Sequence, residues 1–233
     1  SLGYEVHGII RRHSVAENQN SRLHDLNGRI KTYYGDLLDY PSLVRVFQTV
    51  QPDEIYNLGA MSHVRISYDI PSFTIQTNAL GVLNMLEVYR TLSPHAKFYQ
   101  ASSSEMFGNS VDDDYRHAYN LHACNGILSN HESPRRGTNF VTNKVVKGAV
   151  LIKKGLQEKL ELGNMDSYRD WGHSKDYVRA MHLILNHNTP DEFIVATGKT
   201  HSVRDLCDIV FKKMGLNYLD YVVQIPNICD RKN

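Results

Sequence analysis

Glu54-Ile55-Tyr56-Asn57-Leu58-Gly59-Ala60 is a short apolar run that ends in glycine, with an amphipathic stretch on either side. Before it, Ser42–Val50 carries apolar residues at helical spacing, with Pro41 in the first turn. After it, Pro71–Leu92 predicts a long helix. A strand between two helices is the repeating unit of a parallel sheet with crossover helices. The sequence therefore predicts an α/β fold.

The same alternation continues in both directions. The other predicted strands are Glu5–Ile10, Ile30–Tyr34, Lys97–Ala101, Leu121–Leu128, Lys159–Leu162 and Glu192–Ala196, and the other predicted helices are Phe140–Lys154, Ser174–Asn186 and Val203–Met214. We expect a Rossmann-like, doubly wound parallel sheet in residues 1–130. Residues 131–233 are expected to form part of a smaller substrate-binding domain, from which residues 174–197 or so return to the sheet.

Two places depart from this order. Parallel strands need a crossover of about a dozen residues, usually with a helix, but Gly108–Asn120 contains the loop-like run from Asn109 to Asp114. A helix is expected to be missing there. The chain also has no GxGxxG or GxxGxxG motif, so the glycine turn and helix that bind a pyrophosphate are expected to be absent, and the sheet to be incomplete.

The composition favours a small ligand over a polymer or a membrane. The 26 basic and 25 acidic residues nearly balance, and no apolar run of 18 residues occurs. Cys124, Cys207 and Cys229 are too few and too scattered for a disulfide framework, and the 12 histidines form no HExxH pair. We expect a cytoplasmic protein with reduced thiols and no catalytic metal.

Four segments resemble one known family. Leu58–Val64 (LGAMSHV) and Tyr99–Gly108 (YQASSSEMFG) are similar to the sugar-nucleotide branch of the extended short-chain dehydrogenase/reductases. Cys124–Gly137 and Leu162–His173 resemble, within that branch, the GDP-mannose 4,6-dehydratases. The resemblance weakens only after about Gly215. It implies a lyase that converts GDP-mannose to GDP-4-dehydro-6-deoxymannose for deoxysugar synthesis, and that forms a homodimer or homotetramer.

Arg11 and Arg12 indicate which cofactor is used. They follow a predicted strand, where an NAD site would place an acid on the ribose 2′-hydroxyl. Two guanidinium groups suit a 2′-phosphate instead, so we expect NADP, although an isolated Arg-Arg is more often a solvated pair. By resemblance, the other cofactor-binding residues are Asp36, Leu37, Leu58, Gly59, Ala60, Ser62, Phe73, His131 and Arg136.

The resemblance also assigns catalytic and substrate-binding residues. Ser103 would bind the sugar O4, and Glu105 would take the C5 proton and protonate the leaving hydroxyl. In this family His131 and Arg136 lie on a loop, Asn130–Gly137, that meets the cofactor and the substrate diphosphate. The residues expected at the GDP moiety are Asn130, Val141, Lys144, Leu162, Gly163, Arg169 and Arg204, while Trp171 fits the core equally well.

The family's Tyr-xxx-Lys pair is absent, because none of the 14 tyrosines has a lysine four positions later. The resemblance therefore implies a partial chain, which also lacks the carboxy-terminal part of the substrate domain. We expect this polypeptide to be inactive. Two alternatives stay open: a non-catalytic pseudoenzyme subunit, and a nucleotide-sugar epimerase or reductase of the same family. Glu105 beside Ser103 argues against the second, since those reactions need no eliminating carboxylate.

Overall fold

The computed structural model describes residues 3–12, 14, 23–26, 28–62, 64–103, 116 and 118–225. It divides the chain into two compact units. The first comprises residues 1–127 and 181–193, and the second comprises residues 128–180 and 194–233. No helix in the described part is long and apolar enough to cross a membrane.

Parallel strands form the sheets of the first unit. Strands β1 (His7–Ile10) and β2 (Lys31–Tyr34) pair in parallel as a two-stranded sheet. Strands β3 (Glu54–Asn57) and β4 (Lys97–Ser103) pair in parallel, with Asn57 opposite Gln100. Together with β5 (Ala123–Leu128) and β9 (Glu192–Val195) they form a sheet in the order β3-β4-β5-β9. The α/β class predicted from the alternating runs is confirmed.

The helices of the first unit follow the predicted order, with two additions. Helix α1 spans Tyr40–Val50, with proline in its first turn as expected. A short helix, α2 (Val64–Asp69), was not predicted. The helix expected over Pro71–Leu92 runs as α3 (Pro71–Ile75), a π-helical turn (Gln76–Leu80) and α4 (Gly81–Leu92). The prediction of one uninterrupted α-helix is therefore wrong at the π-helical turn.

Helices α1 and α4 supply the core of the first unit. Leu43 and Phe47 of α1 and Leu86 of α4 pack with Ile55 of β3 and Phe98 of β4, and all five are at most 7% exposed. Each such side chain stabilises the fold by about 1.5–3 kcal/mol through burial. This packing fixes the strands whose carboxyl ends carry the predicted cofactor residues.

The second unit combines short strands with helices. Its strands are β6 (Asn130–Glu132), β7 (Leu160–Leu162), β8 (Tyr168–His173), β10 (Thr200–Ser202) and β11 (Val222–Gln224). Strand β8 pairs with β6 in parallel and with β10 antiparallel, while β7 pairs with β11 in parallel. Helices α5 (Val141–Lys153), the first half of α6 (Ser174–Leu185) and α7 (Val203–Lys213) complete it.

Helices α5 and α7 enclose the core of the second unit. Val145 of α5, Leu160 and Leu162 of β7 and Phe211 of α7 are at most 3% exposed. Trp171 is half-buried and packs against this cluster, which favours the core interpretation of that residue.

Several sequence predictions need correction here. Asn130–Glu132 is a strand, so the interpretation of Asn130–Gly137 as one continuous loop is wrong. Strand β4 extends two residues beyond the predicted Ala101, to Ser103. The backbone is helical at Arg116, Ala118 and Tyr119, which lie at the end of the segment predicted to lack a helix. Strands β6, β8, β10 and β11 were not predicted.

Candidate functional site

Two arginines stand over aromatic rings at the carboxyl end of β1. The guanidinium carbon of Arg11 lies 6.0 Å from the ring centroid of Phe73, and that of Arg12 lies 5.3 Å from the ring centroid of Tyr34. Both arginines are exposed to solvent. A cation over an aromatic face is attracted by the ring quadrupole, which orients the charge at modest cost. The pairing brings Arg11 and Phe73, both predicted cofactor residues, together.

Leu37 and Gly59 meet at the carboxyl ends of β2 and β3. A Cβ atom on Gly59 would lie only 2.9 Å from Leu37 Cδ1, so the absence of a side chain allows this approach. The Leu37 carbonyl accepts a hydrogen bond from Asn84 Nδ2 at 2.8 Å. Asp36 Oδ1 accepts one from the backbone N–H of Leu38 at 3.0 Å and closes the turn after β2.

The loop after β3 is held by a side-chain amide. Asn78, in the π-helical turn, accepts from the Met61 N–H at 2.8 Å and donates to the Met61 carbonyl at 3.0 Å. The neighbouring Leu58, Ala60 and Ser62 are exposed. Two pairs of predicted cofactor residues, Arg11 with Phe73 and Leu37 with Gly59, are therefore in contact near the carboxyl ends of parallel strands. Open α/β sheets bind ligands at such strand ends.

One of the two predicted catalytic residues lies at the end of β4. Ser103 is the last residue of that strand. Because β3 and β4 are parallel, its backbone lies on the same edge of the sheet as the loop that begins after Asn57. Glu105 lies outside the described residues, and its role stays a prediction.

The second unit contains a cavity of about 320 Å³. That volume is at the lower end of the range for small-molecule pockets. Five residues predicted from resemblance to bind substrate line it: Val141, Lys144, Leu162, Gly163 and Arg169. The other lining residues are Asn139, Asn164, Ser167 and Val203.

Two cations belong to the cavity wall. Lys144 lies in the first turn of α5, and its ammonium group donates to the Glu161 carbonyl at 2.7 Å. Arg169 of β8 donates through Nη1 to the Tyr168 carbonyl at 2.7 Å and is exposed. Two cations beside apolar Val141 and Leu162 suit a ligand with an anionic part and a flat apolar part.

Arg204 and Asn130 are not among the residues that line the cavity. Arg204 Nε and Nη2 instead donate to Asp166 Oδ1 at 3.0 and 2.9 Å. The bonds to Asp166, with a further contribution from Tyr218, raise the pKa of Arg204. Asn130 is exposed in β6, opposite Trp171.

His131 and Arg136 each have protein partners. The His131 ring stacks on Tyr177, with the ring centroids 4.7 Å apart. The Arg136 guanidinium carbon lies 3.6 Å from the Phe140 ring centroid, and its Nε lies 3.3 Å from Glu132 Oε2. A phosphate that binds Arg136 would therefore compete with Glu132 for the cation.

One carboxylate fixes the turn between β9 and β10. Asp170 accepts hydrogen bonds from the Thr197 N–H and Oγ1 at 3.1 and 2.9 Å and from the Gly198 N–H at 2.8 Å. Desolvation opposes its ionisation, but these bonds prevail and lower the pKa of Asp170. Within the described residues, no three His, Cys, Asp or Glu side chains are grouped to hold a metal ion.

The chain is similar in sequence to the proteins of one known family. The sequence model described as "GDP-mannose 4,6 dehydratase" matches residues 1–113 and 109–230. The GDP-mannose 4,6 dehydratase of Drosophila melanogaster is 43% identical over 245 residues, which cover 90% of this chain and 62% of that protein. GDP-mannose 4,6 dehydratase 1 of Arabidopsis thaliana is 44% identical, over 94% of this chain and 71% of that protein.

This chain belongs to the GDP-mannose 4,6-dehydratase family. It spans about two thirds of the length of the curated relatives that it matches. The alignments run over 245 to 255 positions although the chain has 233 residues, so these relatives have positions with no counterpart here.

Two solved structures of Rossmann-like enzymes share the fold of this chain. The UDP-glucose 4-epimerase of Thermotoga maritima, solved with UDP-glucose, superposes with a TM-score of 0.81 at 20% identity, over 98% of this chain and 80% of that one. The dTDP-glucose 4,6-dehydratase of Bacillus anthracis, solved with NAD, gives 0.77 at 18% identity, over 97% and 76%. The predicted Rossmann-like fold is therefore confirmed.

The sequence did not indicate several residues that shape the strand ends of the first unit and the cavity of the second unit of this dehydratase-family chain. Asn57, which is 3% exposed, accepts from the Gly59 N–H at 3.2 Å and donates to Gln100 Oε1 at 2.8 Å. Asn78 and Asn84 hold neighbouring backbone in the same unit. A buried asparagine at a strand end is a usable signal, because an amide in that position must find partners. Asn139, Asn164, Ser167 and Val203 gave no comparable signal.

Proposed function

We propose that this chain is the partial product of a GDP-mannose 4,6-dehydratase gene and that its second unit binds the GDP moiety. The observation that carries the proposal is the cavity, where Lys144 and Arg169 stand beside Val141 and Leu162. An arginine fork and a lysine match a diphosphate, and the apolar side chains match the face of a purine.

The strand ends of the first unit fit NADP. Arg11 and Arg12 offer two cations to a 2′-phosphate at the end of β1, and no acidic residue follows that strand directly. Phe73, Leu37 and Gly59 form the adjoining surface. NADP, when bound, would accept a hydride from C4 of the sugar and return it to C6.

The chain's own residues would serve the loss of water. Ser103 would donate a hydrogen bond to the sugar O4. Once C4 is a ketone, the C5 proton is acidic, and Glu105 would take it and then protonate the leaving C6 hydroxyl. A proton would return to C5, and with the hydride restored the net change would be the loss of one water molecule. Asn130, His131 and Arg136 would approach the diphosphates of cofactor and substrate.

We propose that the 233-residue polypeptide itself does not turn over. Removing the O4 proton calls for a tyrosine whose pKa is lowered by a nearby cation. Three tyrosines of the first unit show the opposite change: burial raises the pKa of Tyr89 to about 12, and desolvation also raises the pKa of the buried Tyr99 and the partly buried Tyr56. The absence of the Tyr-xxx-Lys pair also favours a second candidate function, a non-catalytic subunit that modulates an intact enzyme.

Two assays on the purified chain test these proposals. Isothermal titration with GDP should show binding that GMP reproduces less well, because GMP lacks the second phosphate. Chromatography after incubation with GDP-mannose and NADP⁺ should show no keto sugar. Equal affinity for GDP and AMP would contradict the proposal that the cavity binds GDP, and formation of the keto sugar would contradict the proposal that the chain is inactive.

A transcript read across Gly108–Asn120 distinguishes a partial sequence from a pseudoenzyme, since only a partial sequence would be extended by a Tyr-xxx-Lys pair.

We further propose that the chain forms a homodimer or homotetramer through the helical segment after β3. Tyr68 of α2 is 71% exposed, Ile75 of α3 is 68% exposed and Leu80 of the π-helical turn is 47% exposed. Several exposed apolar side chains within one segment are typical of protein interfaces. Light scattering of wild type and of an Ile75→Glu variant tests this, since the charge should shift the mass toward the monomer.

A further inference from the structure

The loop Gly163–Ser167 forms one wall of the cavity in the second unit. Gly163, Asn164 and Ser167 line that cavity, whereas Met165 turns inward and is 3% exposed in the second core. Asn164 Oδ1 accepts a hydrogen bond from the Asp166 N–H at 2.9 Å, which closes a turn in the loop. The position of the lining side chains therefore depends on what fixes this backbone.

The beginning of α7 holds the loop at three consecutive residues. The Arg204 N–H donates to the Met165 carbonyl at 3.0 Å, and the Val203 N–H donates to the Ser167 carbonyl at 3.2 Å. Between them, Arg204 Nε and Nη2 both donate to Asp166 Oδ1. The side-chain pair is the one contact of the three that a substitution removes without changing the backbone.

The position of Arg204 also distinguishes it from the cavity's own cations. Lys144 and Arg169 line the cavity, and Arg204 is absent from its lining. The Arg204 and Asp166 side chains are 43% and 66% exposed, so the pair contributes little to the packing of the core. An exposed pair that joins a helix to a ligand-lining loop acts mainly on the shape of that loop.

We propose that Arg204 is a positioning residue for the cavity, which acts through Asp166 to hold Gly163–Ser167 in the conformation that receives the nucleotide diphosphate. This rests on the proposed function, in which the cavity binds GDP. Arg204 then makes no contact with the ligand, in contrast to the direct role that the sequence resemblance implied for it.

A double-mutant cycle tests the proposal on the full 233-residue chain. GDP affinity is measured by isothermal titration for wild type, Asp166→Ala, Arg204→Ala and the double variant. Each single change should weaken GDP binding by about threefold to fivefold, the upper range for an exposed ion pair. The double variant should be no weaker than Arg204→Ala, because the loss of Arg204 has already removed the contact with Asp166.

Lys212→Met is the matched control, since it removes the exposed ion pair with Asp208 on the same helix, 2.7 Å long, away from the loop. It should leave GDP affinity unchanged. An Arg204→Ala loss with an unchanged or tighter Asp166→Ala variant would show direct phosphate contact and overturn the proposal. Unchanged affinity in both, or an equal loss in Lys212→Met, would also overturn it. Wild type that binds no GDP would instead refute the proposed function.

Discussion

The ring of Tyr99 lies directly against the backbone of Gly126, where a Cβ atom would sit 2.0 Å from the tyrosine hydroxyl oxygen and 2.7 Å from Cζ. Tyr99 belongs to β4 and is fully buried, and Gly126 belongs to β5. The Tyr99 ring of β4 occupies the space beside β5 that a side chain at position 126 would need, so only glycine fits there. The consequence for stability can be measured directly.

Gly126→Ala should destabilise the first unit by about 1–3 kcal/mol or more, because a buried aromatic ring must move to admit the methyl group. Gly8→Ala is the matched control: Gly8 also lies in a strand, but its Cβ would meet nothing closer than 3.9 Å. Urea unfolding followed by circular dichroism measures both. Equal free energies of unfolding for the two variants would contradict the close approach at Gly126.

The stability of the first unit should fall below about pH 6.5 because of His122. Its Nε2–H donates to the Leu185 carbonyl at 2.9 Å, and burial lowers the pKa of His122. The unfolded chain therefore binds this proton more readily than the folded chain. The stabilisation is fully present above the unfolded pKa and is lost as pH falls through the folded pKa.

Melting temperatures at pH 7.5 and 5.5 check this expectation. His122→Asn should reduce the difference between the two temperatures. If His122→Asn shows the same difference in melting temperature as wild type, the pH dependence arises from other titratable groups.

Ser202→Ala should lower the free energy of unfolding by about 1 kcal/mol through loss of a helix cap. Ser202 Oγ accepts from the Asp205 N–H, and the Asp205 carboxylate accepts from the Ser202 N–H, so the two residues form a capping box at the start of α7. Asp39, at the corresponding position of α1, accepts no such bond, so Asp39→Ala should change stability by less than about 0.5 kcal/mol. Thermal melts of both variants test the contrast.

Lys144→Met and Arg169→Met should each weaken GDP binding by about tenfold, since each removes a charge-assisted contact with a phosphate. Lys147→Met is the control, because Lys147 is exposed on the same helix and does not line the cavity. Isothermal titration at fixed ionic strength compares the three. Equal losses in all of them would indicate a general charge effect in place of a defined site.

The long elements of the fold were predictable because their patterns are long. The wholly buried run of β5 and the amphipathic α1 carry enough residues to define a strand and a helix. Strands β6 (NHE) and β10 (THS) contain three polar residues each, so no apolar pattern marks them, whereas the equally short β7 (LEL) alternates and was predicted. Their pairing partners are distant in sequence, as with Thr200 opposite Asp170.

Residues of the candidate site were predictable only where they fall in a motif of the family that the sequence resembles. Lys144 and Arg169 came from the resemblance, and they do line one cavity. Asn164 and Ser167 are ordinary loop residues by sequence, and only the folded backbone turns them toward that cavity. The resemblance placed Arg204 at the GDP moiety. Its ion-pair partner, Asp166, lies 38 positions earlier, so the pairing cannot be inferred from sequence spacing.

The π-helical turn at Gln76–Leu80 sets the relative rotation of the two helices that it joins. One extra residue in a helical turn offsets everything before it by about 100° around the axis. Phe73 thereby stands under Arg11, while Leu86 and Tyr89, further along, face the core. Removing a single residue from this turn would restore a regular helix and carry Phe73 away from the arginine. The length of one turn, with no change of any side chain, thus decides whether Phe73 lies beneath Arg11.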